Sequence, residues 1–279
     1  RLNFIIMKTI APKVIMLCSV FLIFFTSCET NETNNTETNF SEVDNSRAAK
    51  ADNVIEGTLT IMEQAYEENE GLSKFNSSSL FPECTTITIV LNGDAGTITI
   101  DFGDYCQLNN GNIVSGKIIL EYGTFVGGTR TINYAFENYY YNYNGVEDGG
   151  EIFREIANQD GNPQSTVNES IVVSFPNTDI TATRNGLRIA EWVEGVGSGT
   201  WEDNVFHVTG NWDTTFTNGF HRSGNVTEKL VRKLSCAYLV SGTVYLEQEG
   251  FTGVLDFGNG VCDNEAVLTI NGHEILIIL

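Results

Sequence analysis

The chain has 279 residues, with 36 Asp and Glu against 15 Lys and Arg, a formal net charge of −21, and 41% hydrophobic residues. That excess of acid repels phosphate backbones and argues against nucleic acid as a partner; anionic membrane surfaces are equally disfavoured. The length suffices for one large β domain or two small ones.

Met7 is the expected start, with Arg1–Ile6 left from upstream translation. Lys8 and Lys13 make a short positive region before Val14–Phe25, an apolar stretch of secretory-signal length that is too short to span a bilayer comfortably. Phe25-Thr26-Ser27-Cys28 closes that run and resembles the lipobox of bacterial lipoproteins. The resemblance implies a signal peptide over residues 1–27, lipid on the Cys28 sulfur, and a membrane partner reached through that lipid. A retained transmembrane helix is the alternative; small residues before Cys28 and no positive flank after it argue for cleavage. Two or three acyl chains anchor durably where one holds only marginally. Cleavage removes Arg1, Lys8, Lys13 and Cys18 but no acid, which moves the net charge from −21 to −24.

Residues 28–45 follow as an Asn-, Thr- and Glu-rich stretch with too little apolar content to pack, read as a disordered tether. Acids soon after the lipid-bearing cysteine resemble the surface-export signal of Bacteroidota-type lipoproteins; a plain spacer is the other reading. Residues 46–80 read as a helix or an extension. Ala48, Ala49, Val54, Ile55, Leu59, Met62, Ala65 and Tyr66 fit one helical face imperfectly, and Thr58-Leu59-Thr60-Ile61 reads equally well as a strand.

The remainder, 81–279, carries Cys84, Cys106, Cys236 and Cys262. An even count in an exported chain implies disulfides, and four cysteines allow three pairings. Cys84 and Cys106 are centred on a turn at Asn92-Gly93-Asp94-Ala95-Gly96; Cys236 and Cys262 are centred on Gln248-Glu249-Gly250. Residues equidistant from a hairpin turn face one another, so the expected bridges are 84–106 and 236–262. The two segments also match in sequence: each is a strand ending in Asp-Phe-Gly (101–103 and 256–258) followed by a cysteine. No Gly-rich phosphate loop or His-Arg-Asp loop supports a kinase. The structural reading is that Phe is buried, Gly turns the chain and Asp caps the turn; a metal role for Asp101, Asp104 and Asp256 is the alternative.

Alternation at period two runs through Thr86–Leu91, Thr97–Phe102, Lys117–Tyr122, Thr131–Tyr143, Ser170–Phe175, Val205–Phe216, Leu239–Leu246 and Ala266–Ile270. Asn-Gly, the strongest short hairpin signal, recurs at 92, 110, 144, 185, 218, 259 and 271. The expectation is an all-β fold: a meander of about twelve long antiparallel strands forming a curved sheet, a sandwich or a partly closed barrel. Acidic and aromatic positions mixed on both faces argue against an outer-membrane barrel.

Candidate sites are few. Tyr139, Tyr141 and Tyr143, within an aromatic cluster that also holds Tyr134, Phe136 and Tyr140, and Trp192, Trp201 and Trp212, on consecutive expected strands, are the candidate ligand surface, since flat aromatics stack on sugar rings. Cross-strand and core packing is the commoner use of such residues. Glu191, Glu194, Glu202 and Asp203 surround two of the tryptophans and supply carboxylates of the kind a glycosidase pairs across a groove. His207, His221 and His273 lack metal-ligand spacing, there is no Gly-x-Ser-x-Gly elbow, and the cysteines are taken by disulfides. No cofactor, metal or catalytic residue is assigned.

The lipobox, the Cys…Ile-Thr-Ile-Asp-Phe-Gly…Cys segment, Ser115-Gly116-Lys117-Ile118-Ile119 and Asp256-Phe257-Gly258…Cys262-Asp263-Asn264 resemble a group of uncharacterised Bacteroidota-type lipoproteins over residues 80–279. The resemblance implies an all-β fold and a cell-envelope location: an outer-membrane lipoprotein at the periplasmic face or the cell surface. The functional expectation is a non-enzymatic β scaffold that binds a glycan or protein. A glycan-acting hydrolase and a lipid carrier are the alternatives; the carrier requires an apolar cavity large enough for acyl chains.

Overall fold

The computed structural model describes residues 41–69, 78–248 and 250–279. The expected signal peptide, Cys28 and the first part of the tether lie outside them. Residues 41–279 form one compact unit. It begins with helix α1 (Glu42–Asn69), which starts inside the stretch expected to be tether. Ser41 caps it by accepting from the Asp44 backbone N–H at 3.1 Å, with Asp44 and Glu42 placed to meet the positive end of the helix.

Fourteen strands follow: β1 (Thr86–Asn92), β2 (Ala95–Asp101), β3 (Cys106–Gln107), β4 (Ile113–Tyr122), β5 (Thr129–Tyr141), β6 (Asn144–Glu155) and β7 (Gln164–Ser174). The chain continues through β8 (Thr181–Glu194), β9 (Val205–Phe216), β10 (His221–Lys233), β11 (Leu239–Gln248), β12 (Phe251–Asn259), β13 (Glu265–Ile270) and β14 (His273–Ile278). All pair antiparallel in one sheet in sequence order, except that the two-residue β3 pairs only with β4. The expected all-β meander is what forms, and the sheet does not close into a barrel.

The sheet curls around α1. Every residue from Ala51 to Tyr66 is buried, and the helix touches β2, β4, β5, β7 and β14. A helix enclosed on all sides has no solvent face, which is why its apolar residues trace one face so poorly. The strand reading of Thr58–Ile61 fails for the same reason: Thr58 and Thr60 are buried like their apolar neighbours, so their alternation marks no solvent face, and Thr60 turns its hydroxyl back to the Glu56 carbonyl at 2.7 Å. Gly57 marks the closest approach. A Cβ there would sit inside the Tyr141 ring of β5, so only glycine lets helix and sheet meet at that point.

Register shifts bend the strands. They fall in β4 and β5 near Ser115–Lys117 and Ala135–Tyr140, and between Asn225 and Leu230 of β10. Bulges increase local twist, and long strands wrapped around a helix need it. Two Asn-Gly hairpin readings are corrected. Asn185-Gly186 lies mid-strand in β8, where Gly186 leaves space for Trp212 of β9. The turn near Asn144-Gly145 is made instead by Asn142 and Tyr143, at φ of 46° and 66°.

Both disulfides form as paired, Cys84–Cys106 with Cα atoms 5.6 Å apart and Cys236–Cys262 at 5.7 Å. The hairpin geometry behind the pairing is corrected. Thr86 already faces Asp101, so Cys106 lies past the end of that ladder and sits opposite Val114 of β4. The first bridge therefore ties the segment before β1 to β3. The second joins the segments flanking β11 and β12, beyond the Ser241–Asn259 pair. The Asp-Phe-Gly reading holds in full at the first copy, where Gly103 turns the chain; at the second, Asp caps and Phe is buried, but Gly258 lies within β12 at a bulge rather than in a turn. Asp101 and Asp256 accept from the backbone N–H of Gly103 and Gly258 at 2.9 and 2.8 Å, and Phe102 and Phe257 are buried.

Candidate functional site

Six of the eight arginines lie buried on the inner face of the sheet: Arg130, Arg154, Arg184, Arg188, Arg222 and Arg232. They come from β5, β6, β8 and β10, at positions that alternate inward. Facing them on α1 are Asp52, Glu56, Glu63 and Glu67, at spacings of four, seven and four that keep them on one side of a helix. Glu169 of β7 is buried too, while Glu67 is half-buried at the end of the row.

Arg188 is the centre of this seam. It donates to both oxygens of Glu56 at 2.7 Å and to Glu63 at 2.9 Å. Burial pushes the Glu56 carboxyl up, but the charge and hydrogen bonds of Arg188 outweigh it and hold the pKa below the ordinary 4.5. Arg184 bridges Glu169 at 2.7 Å and Asp52 at 3.1 Å, and its guanidinium lies 4.2 Å from the Trp212 ring centre. Asp52 also pairs with Arg222, and Glu67 pairs with Arg154. At Glu169 and Glu67 burial wins over the facing arginines, and both pKa values are raised. Arg130 donates to the Tyr66 hydroxyl and the Asp94 carbonyl, each at 2.7 Å, and lies over the Phe125 ring.

One row of the seam is incompletely paired. Arg184, Thr214, Arg222 and Gln248 stand side by side across β8–β11. Among the described residues Thr214 Oγ1, Arg222 Nε, Gln248 Oε1 and the neighbouring Trp212 Nε1 find no hydrogen-bond partner. A cavity of about 20 Å³ beside Asp52, Arg184 and Trp212 has room for a single water.

The residues singled out from sequence do not form one exposed surface. Tyr139, Tyr141, Trp192, Trp201 and Trp212 are all at most 8% exposed; Tyr143 alone is in the open, at 63%. Tyr139 packs between Phe102 and Phe136, and Trp192 stacks on Phe206. Trp201 belongs to the turn before β9 rather than to a strand. Core packing, the commoner use of such residues, is what five of the six do.

Three of the four carboxylates near the tryptophans, Glu191, Glu202 and Asp203, are held by separate partners. Glu191 accepts from Asn162 and Asn158 at 2.9 and 3.1 Å, and those bonds, with Lys229 nearby, lower its pKa. Glu202 accepts from Ser78 and Thr200, which lower its pKa too. Asp203 accepts from Ser198 at 2.9 Å. Neither Glu191 nor Glu202 has the raised pKa of a general acid. Among the described residues no group of three His, Cys, Asp or Glu is placed to hold a metal ion. Asp101 instead pairs with Lys117 at 3.0 Å.

A cleft of about 490 Å³ opens beside the start of α1, lined by Glu42, Val43, Arg47, Lys50, Phe175 and Pro176. Sequence reasoning missed the inner arginines. Their signal was present as two patterns: the four, seven, four spacing of acids on α1 and the spacing of four between Arg184 and Arg188 on one strand.

No protein-family model, no curated protein and no solved structure matches the chain.

Proposed function

We propose that this chain is a cell-envelope lipoprotein, held in the outer membrane through Cys28 at the periplasmic face or cell surface, whose β body is a non-enzymatic binding or structural scaffold. The observation that carries the reading is the filled concave face. A curled sheet would hold a ligand or a catalytic groove there; in this chain α1 occupies it, and the charged groups meet each other. The enclosed spaces at the seam and beneath Tyr66 are only about 20 and 10 Å³, far below what an acyl chain needs, so the described interior gives a lipid carrier no support. Binding then falls to the outer surface, where Tyr143 and the cleft beside α1 offer a glycan or protein partner its contacts.

The anchor is tested by labelling cells that express the chain with a palmitate analogue and sequencing the mature amino end by mass spectrometry. Label on a chain beginning at Cys28, lost in Cys28→Ser, supports the reading. An intact, unmodified amino end overturns it. For the body, a glycan array and a pull-down from envelope extracts identify the partner, and turnover of any glycan would replace the scaffold with an enzyme.

A further inference from the structure

Strand β1 is an edge. It pairs with β2 on one side, and among the described residues nothing pairs with it on the other. Natural edge strands are guarded by lysine, proline, bulges or cover, because a row of free N–H and C=O groups recruits another strand. Among the described residues β1 has none of these. From Thr85 to Asn92 it reads Thr-Thr-Ile-Thr-Ile-Val-Leu-Asn, without a charge or a proline, and it keeps unbroken register with β2. Ile89, Val90 and Leu91 are 40%, 62% and 69% exposed.

We infer that β1 is the docking site for a second copy of this chain, pairing antiparallel with its own counterpart about a two-fold axis near Ile89. Three observations choose this occupant. First, charge selects the place: two molecules of net charge −21 repel over most of their surfaces, and this uncharged strand is where they approach at least cost. Second, the strand complements itself. About Ile89, Ile87 faces Leu91 of the other copy and Thr88 faces Val90. Ile87, Ile89 and Leu91 share a face with the buried Ile98 and Ile100 of β2, so the apolar row of each copy runs on into the other. The paired segment Thr86–Asn92 contains no acid, so no acid opposes an acid within the ladder. Third, the other free edge is less suited: β14 carries His273 and Glu274, and Glu265 lies in its partner β13. Pairing of β1 with β14 would also be heterologous and open-ended, whereas β1 with β1 closes as a dimer.

Sedimentation of the full chain, in density-matched micelles where it carries lipid, decides the matter. The wild type is expected to be a reversible dimer. Val90→Lys brings a lysine against the pairing strand and is expected to raise the dissociation constant by about tenfold or more. Leu276→Lys, the same change on β14, is expected to leave the dimer intact. Both side chains are exposed, and unchanged near-ultraviolet circular dichroism reports that each variant is folded. A wild type that stays monomeric at every concentration overturns the inference. So does a dimer that survives Val90→Lys, or one dissolved by Leu276→Lys alone.

Discussion

Arg188 on β8 and Glu56 on α1 meet fork to fork, with Nε donating to Oε2 and Nη2 to Oε1, both at 2.7 Å. This is the bidentate geometry in which a guanidinium and a carboxylate bind most strongly, and neither group can turn to water instead. Removing one partner leaves the other charged and buried. Arg188→Met is therefore expected to cost about 3–5 kcal/mol, since it orphans Glu63 along with Glu56. Replacing all three residues with apolar side chains of similar volume is expected to recover most of that loss. Urea unfolding of the single and triple variants separates the two outcomes.

Glu169 links stability to pH. Burial, which outweighs the Arg184 and Arg188 charges, raises its pKa above the ordinary 4.5. Between 4.5 and the raised value the folded state holds a proton that the unfolded state has released. Stability attributable to this group is therefore full below about pH 4.5 and declines as pH rises through the folded value. Glu169→Gln cannot titrate and is expected to flatten that decline in urea midpoints taken between pH 4 and 7. An unchanged slope in the variant would show that the carboxyl is not held protonated.

Tyr143 sits at φ 66° in the turn between β5 and β6, a conformation that costs a bulky L residue about 1–2 kcal/mol. Asn142 keeps it there by accepting from Ile113 N–H at 2.8 Å and donating to Asn112 at 3.0 Å. Tyr143→Gly is expected to stabilise the protein by about 1 kcal/mol, seen as a Tm rise of about 2–4 °C. If Tyr143 is a binding contact, the same variant loses the partner while gaining stability.

The bridges close loops with sequence separations of 22 and 26. Each is expected to stabilise by about 3 kcal/mol through the unfolded chain. The paired variants Cys84→Ser with Cys106→Ser, and Cys236→Ser with Cys262→Ser, should each lower the urea midpoint without abolishing the cooperative transition.

The strands were legible because alternation and turn chemistry are local. Val205–Phe216 is delimited in sequence as it is in β9, and Asn271-Gly272 makes the turn into β14. The disulfide pairing was legible because each pair of cysteines is centred on a turn, although the ladder ends before either bridge. The interior was not legible. A reading that assigns acids to solvent cannot place Asp52 or Glu63 in a core, because their burial depends on arginines more than a hundred residues away. The tryptophans misled for the opposite reason: aromatics that suit a sugar also suit the inside of a sheet.

α1 precedes every strand and yet touches the last. A chain made from its amino end thus completes its central rod first and the sleeve for it last, with all the intervening pairings still to be found. Topologies this non-local fold slowly. The stripe of acids on α1 finds its arginine partners only when β6, β8 and β10 are in place. A sleeve that stalls short of β14 leaves that rod bare, so quality control in the living cell would meet an unfinished molecule as an exposed, negatively charged helix.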